Sequence, residues 1–153
     1  MANEDTTFNV DAFQNAQFSD ANSTEYVPVP VGEFPAVIDK QAIRQAKQSI
    51  ILDVTWKIDS EEVARETGIE NPTVRQSIFL DVNENGNLEF GKGKNVQLGR
   101  LREALGQNVA GQPWTFSHLV GQVAKVRIAH RADTTSTPGN TIMRAEVAGV
   151  TKL

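Results

Sequence analysis

An all-β domain with one main helix is the fold class this sequence predicts, and three observations predict it. Apolar and polar residues alternate over several short stretches between residues 32 and 150, the period of a half-buried strand. Turn chemistry separates those stretches, most plainly at Asn85-Gly86 and Pro138-Gly139. One longer stretch, residues 95–105, sets Leu98, Leu101 and Leu105 on a single helical face.

Taken in order, residues 1–31 form a polar, acidic N-terminal arm punctuated by Phe8, Phe13, Phe18 and Tyr26. Residues 11–17 have room for a helical turn capped by Asp11. Pro28 and Pro30 keep the connector extended. Residues 32–153 are expected to be the folded domain. Phe34, Ala36 and Ile38 mark a first strand, and residues 41–49 read equally as its continuation or as a loop. Residues 49–58 form the clearest strand, with Ile50, Leu52, Val54, Trp56 and Ile58 on one face. Asp59 followed by Glu62 reads as a capping box, which opens a short helix that Gly68 closes.

Residues 73–81 make a third strand, with Val74, Ile78 and Leu80 inward and Arg75, Ser77 and Phe79 outward. The Asn83–Gly86 turn leads to a short return strand through Leu88 and Phe90. A Gly91-Lys92-Gly93-Lys94 hinge and the main helix follow, and Gly106 ends that helix. Trp114, Phe116 and Leu119 are expected to plug one end of the core. Residues 123–131 bury Ala124, Val126 and Ile128, and residues 134–140 form a hairpin loop. The last strand is expected to bury Met143, Ala145 and Val147 and to expose Arg144 and Glu146. Three strands, a helix and two more strands is the order of the OB-fold, a five-stranded partly open barrel. A jelly roll or a sandwich would need more strands.

The totals narrow the function classes. At 153 residues the chain holds one domain with a real core. Without cysteine it has no disulfide, no thiolate metal site and no Cys nucleophile. Two histidines in separate contexts are poor material for a structural metal site. The opening residues lack the basic and apolar regions of a secretory signal, and no apolar run approaches the ~20 residues of a membrane span.

Two motifs come near to chemistry and stop short. Gly86 to Lys92 has the G-x-x-x-x-G-K spacing of a phosphate-binding loop, but Gly93 stands where a magnesium-binding Ser or Thr belongs. Asp81-Val82-Asn83-Glu84-Asn85-Gly86 opens like a calcium loop, yet its twelfth position is Lys92 rather than a bidentate Glu. A plain turn explains that stretch better. His118 and His130 lie in different elements, and no Ser occupies a nucleophile elbow. No enzyme activity and no cofactor are expected.

Charge segregation is the positive clue. Residues 1–39 contain seven acids and no Lys or Arg, whereas residues 92–131 contain seven Lys or Arg and one acid, Glu103. A local basic face can serve an anionic partner even on a chain of net charge −4. Strand parity puts Lys125, Arg127 and Arg131 on one outward face, and Arg75 with Phe79 on another. Cations along a track with an exposed aromatic are what sequence-tolerant binders of single strands use. Lys92, Lys94 and Arg100 add charge from the hinge and the helix, and Trp114 is a further stacking candidate. The plain alternative is a solvated strand face with Phe79 covered by the arm.

The wording of residues 73–81, then Gly91-Lys92-Gly93-Lys94-Asn95, then Leu98-Gly99-Arg100-Leu101-Arg102, resembles a group of small tailed-bacteriophage proteins described as single-stranded DNA-binding or as uncharacterised replication and recombination neighbours. The resemblance continues through Gly111-Gln112-Pro113-Trp114 and covers roughly residues 25–150. It implies an OB-like fold, coating of single-stranded DNA in phage replication or recombination, contact with other replication and recombination proteins, and residence in the cytoplasm of an infected host. Many proteins of this role end in an acidic tail that recruits partners. This chain ends Val150-Thr151-Lys152-Leu153 and is acidic at its start, so the arm is left either to shield the basic face or to dock elsewhere. The alternative is a virion structural protein, a capsid-decorating or tail-associated subunit. An adaptor acting through the acidic arm, and a homo-oligomer, also stay open.

Overall fold

The computed structural model describes residues 7–24, 26–133 and 142–153. Its body is a five-stranded antiparallel open sheet made of β1 (Gly32–Ala46), β2 (Ser49–Ile58), β3 (Thr73–Leu80), β4 (Val123–Asp133) and β5 (Ile142–Thr151). The strands lie in the order β3-β2-β1-β4-β5, so β3 and β5 are the outer edges. Three helices accompany them: α1 (Val10–Asn15), α2 (Glu61–Thr67) and α3 (Val96–Ala104). A 3-10 turn, Phe116–Leu119, precedes β4.

The alternation that predicted the strands is what packs them. Ala36 and Ile38 of β1, Leu52, Val54, Trp56 and Ile58 of β2, Val74 and Ile78 of β3, and Ala124, Val126 and Ile128 of β4 are all buried on one side. Leu98 and Leu101 of α3 and Leu119 of the 3-10 turn close over them, with Trp114 and Phe116 packed alongside. The buried indole N–H of Trp56 would be costly without a partner. It donates to Gln76 Oε1 at 3.0 Å, which explains a buried Gln in the middle of β3.

β1 runs through the ambiguous residues 41–46 and turns at Lys47, whose φ of 57° suits a tight reversal. A bulge at Asp39 reverses its parity, so Lys40 and Arg44 join the outer face. A second irregularity skips Ala148: Arg127 pairs with Gly149, and Ile128 with Val147. That bulge decides which β5 residues turn inward. Val147 is buried and Val150 packs on the core, but Met143 is exposed, against expectation.

Other local details differ for chemical reasons. The cap of α2 is Ser60, whose hydroxyl accepts from the Val63 N–H, and not Asp59. Likewise the cap of α1 is Asn9, accepting from Ala12, while Asp11 lies inside the helix. In both, the residue three before the donor amide is the one in reach. The return strand through Leu88 and Phe90 reduces to a single bridge, Val82 to Leu88. Asn83 Oδ1 folds the turn by accepting from both the Asn85 and Asn87 amides. The hairpin loop expected over residues 134–140 lies outside the described residues.

α1 buries none of its residues, and Phe8, Phe13, Phe18 and Tyr26 are all exposed. The chain meets the body at Val29, which is buried and whose carbonyl accepts a 2.7 Å hydrogen bond from His130 Nε2. Among the described residues, no helix is long and apolar enough to cross a membrane.

Candidate nucleic-acid interface

The edge strands β3 and β5 come into contact, and α3 packs against both. Along this seam lies an open groove of ≈ 810 Å³, within the size range of ligand pockets. Arg75, Ser77 and Phe79 line one wall from β3; Arg131 and Arg144 line the other from β4 and β5. Phe79 is 63% exposed, because its outward parity on an edge strand leaves nothing above it. Register places Arg131 directly opposite Arg144. Like charges so placed repel, and flanking carboxylates compensate: Arg131 meets Glu146 at 3.7 Å and Arg144 meets Asp133 at 2.6 Å.

A second hollow adjoins the first, sharing Gln97 and Ala148 with it. It brings Arg100 of α3 together with Arg127 of β4. Arg127 lies across β5, donating from Nη2 to the Ala148 carbonyl at 3.2 Å. Gly149 permits that close approach, since a Cβ there would stand 3.3 Å from the guanidinium. Neither Arg100 nor Arg127 has an ion-pair partner among the described residues.

The remaining expected site residues are placed apart from this pair of hollows. Lys125 sits on the outer face of β4 and pairs with Glu33 at 3.7 Å. Lys94 pairs with Glu89 at 3.6 Å and lines a third, smaller hollow with Phe90. Lys92 is exposed in the loop before α3. Trp114 is half-buried and engaged by three neighbours. Its N–H donates to Gln107 Oε1 at 2.8 Å, its ring meets Phe116 edge-on at 5.0 Å, and the Arg102 guanidinium lies 4.3 Å over its face. Burial pushes the Arg102 guanidinium down from its ordinary value.

The outer face of β1 and β2 is chemically different. Burial pushes the Asp53 carboxyl up, but hydrogen bonds from Arg44 and Ser77 and the charges of Arg44 and Arg75 outweigh it, holding Asp53 below the usual aspartate value. Arg44 Nε lies 2.5 Å from that carboxylate and Ser77 Oγ 2.7 Å. Lys57 pairs with Asp39 at 3.4 Å.

Three contributors escaped the sequence reading. Arg144 was legible as an outward residue, but only the β4–β5 register puts it opposite Arg131. Gln97 had no signal, since a polar residue on the outer side of a helix is ordinary. Phe90 was assigned to a strand that does not form, and it is 79% exposed. Comparison with protein-family models and with curated proteins gives no match to this chain.

Proposed function

We propose that this protein binds single-stranded DNA without catalysing a reaction, through the seam between β3 and β5. The observation that carries the reading is Phe79, exposed in one groove with Arg75, Arg131 and Arg144. An unstacked base needs a flat apolar surface, and its phosphates need cations at the same place. Arg100 and Arg127 extend the cationic lining beyond the groove. The strand order β3-β2-β1-β4-β5, with α3 between β3 and β4, is also the connectivity of an OB-fold, in which β3 and β5 would complete a partly open barrel. The tailed-phage resemblance points the same way, to replication or recombination in the host cytoplasm.

The test is fluorescence anisotropy with a labelled oligo-dT of about thirty nucleotides at low and moderate salt. Tight, salt-sensitive binding that duplex DNA fails to displace supports the reading; no binding at low salt ends it.

One observation favours a second reading. An arm whose aromatics are exposed and whose helix buries nothing is suited to order on a neighbouring protein, as in a virion subunit. Removing residues 1–27 would then abolish assembly or partner binding while leaving DNA affinity untouched.

A further inference from the structure

The groove at Phe79 is the first of three hollows that run into one another. It shares Gln97 with the hollow of Arg100 and Arg127, and that hollow shares Val96 with the one formed by Phe90 and Lys94. Both shared residues belong to the first turn of α3. The linked hollows form a trough whose lining runs from one exposed phenylalanine, past Arg100 and Arg127, neither of them ion-paired among the described residues, and past the start of α3 to a second exposed phenylalanine. Phe90 is 79% exposed and contributes nothing to the core. Its loop is nevertheless held in place: the Asn95 side chain donates to the carbonyls of Asp81 and Glu89, each at 2.9 Å, and Asp81 Oδ2 accepts from the Asn95 amide at 2.9 Å. An aromatic ring left in water on an anchored loop offers a face on which a base could stack, with Lys94, paired to Glu89, beside it.

The outer face of β1 and β2 is less suited to the same strand. Its Arg44 and Lys57 are matched to carboxylates, and the ionised Asp53 stands at its centre. A phosphate approaching there would meet cations already paired, whereas Arg100 and Arg127 make no ion pair among the described residues; the Glu33 carboxylate that lines their hollow is paired with Lys125.

Resting on the single-strand reading, we infer that the DNA leaves Phe79 over α3 and not across β1 and β2, and that Phe90 is a second base-stacking residue at the far end of the path. Two separated anchors make the contribution of Phe90 depend on oligonucleotide length. A short strand reaches one anchor; a longer one reaches both.

The experiment is anisotropy across a ladder of labelled oligo-dT, from about 4 to about 20 nucleotides, on the full chain and its Phe79→Ala, Phe90→Ala and Phe90→Trp variants. Thermal melts confirm that each variant is folded. Phe90→Ala is expected to weaken binding about fivefold or more for the long strands and to leave the shortest unchanged, with Phe90→Trp restoring the loss. Phe79→Ala is expected to weaken every length. If Phe90→Ala binds all lengths like the wild type, or loses affinity equally at all lengths, the path over α3 is wrong while the single-strand reading stands. If the wild-type chain binds no length, that reading falls and takes this inference with it.

Discussion

On the outer face of β1 and β2, Arg44 lies 2.5 Å from Asp53 and Lys57 lies 3.4 Å from Asp39, and only Lys40 there is left without an ion pair among the described residues. At the seam, Arg131 and Arg144 are paired, whereas Arg75, Arg100 and Arg127 make no ion pair among the described residues, Arg75 feeling the Asp53 charge only from a distance. The outer face has three cations and the seam five, two of them paired in each, so among the described residues the seam leaves three for an incoming phosphate and the outer face one. An exposed pair contributes little to stability, yet it removes a positive charge from the field that a ligand feels. The seam also has an exposed ring, Phe79.

The largest test of this contrast is Phe79→Ala. Loss of one stacked base is worth ~1–3 kcal/mol, so single-strand affinity should fall about 5- to 150-fold with no change in melting temperature. An unchanged affinity would erase the distinction between the two faces. Next, Arg100→Ala and Arg127→Ala should each weaken binding and lower the slope of log affinity against log salt by about 0.7, the share of one phosphate on a single strand. Arg44→Ala should leave that slope alone. A loss of slope in Arg44→Ala equal to that in Arg127→Ala would show that paired cations serve as well as free ones.

Asp53→Asn sharpens the comparison from the other side. The folded chain holds this carboxyl below its ordinary value, so its ionised form stabilises the fold above the unfolded pKa of about 3.9. That stability is lost as pH falls through the folded value. Denaturation midpoints should therefore show Asp53→Asn less stable than wild type at neutral pH, by under about 1 kcal/mol given the exposure of Arg44, and the gap should close in acid. The same change frees Arg44 and Arg75 from a carboxylate, so single-strand affinity should rise modestly. The smallest effect is expected from removing residues 1–27, which leaves Val29 in place. Since α1 buries no residue, the melting temperature of the body should move by little, within about 0.5 kcal/mol of stability.

How much of this was written in the chain depends on how local the physics is. Strand β2 was legible because period-two alternation needs only neighbouring residues, and Ile50 to Ile58 carry it themselves. The main helix was legible for the same reason, through Leu98, Leu101 and Leu105. The outward sides of Arg75, Phe79, Arg127 and Arg131 followed from parity within one strand. Helix caps came out one residue or two away, because Ser60 and Asn9, not their acidic neighbours, stand three residues before the amides that need an acceptor. Parity held at Met143, which shares the side of Ala145 and Val147, but burial did not: it pairs with Ala132 at the end of β4 and β5, where Ala132 is exposed as well.

By itself, then, the sequence determined where strands and helices form, which side of each is apolar, and that positive charge gathers in residues 92–131. Each depends on spacing along a few consecutive residues. Tertiary structure alone decided that β3 and β5 are the two edges and meet at a seam, that Arg144 stands opposite Arg131, that Arg44 and Lys57 are matched while Arg100 and Arg127 make no ion pair among the described residues, and that the hollows of Phe79 and Phe90 lie on either side of the one lined by Arg100 and Arg127. Those facts depend on strand order, register and two single-residue bulges. Such features are settled by the packing of segments far apart in the chain, where a shift of one residue turns every side chain to the opposite face.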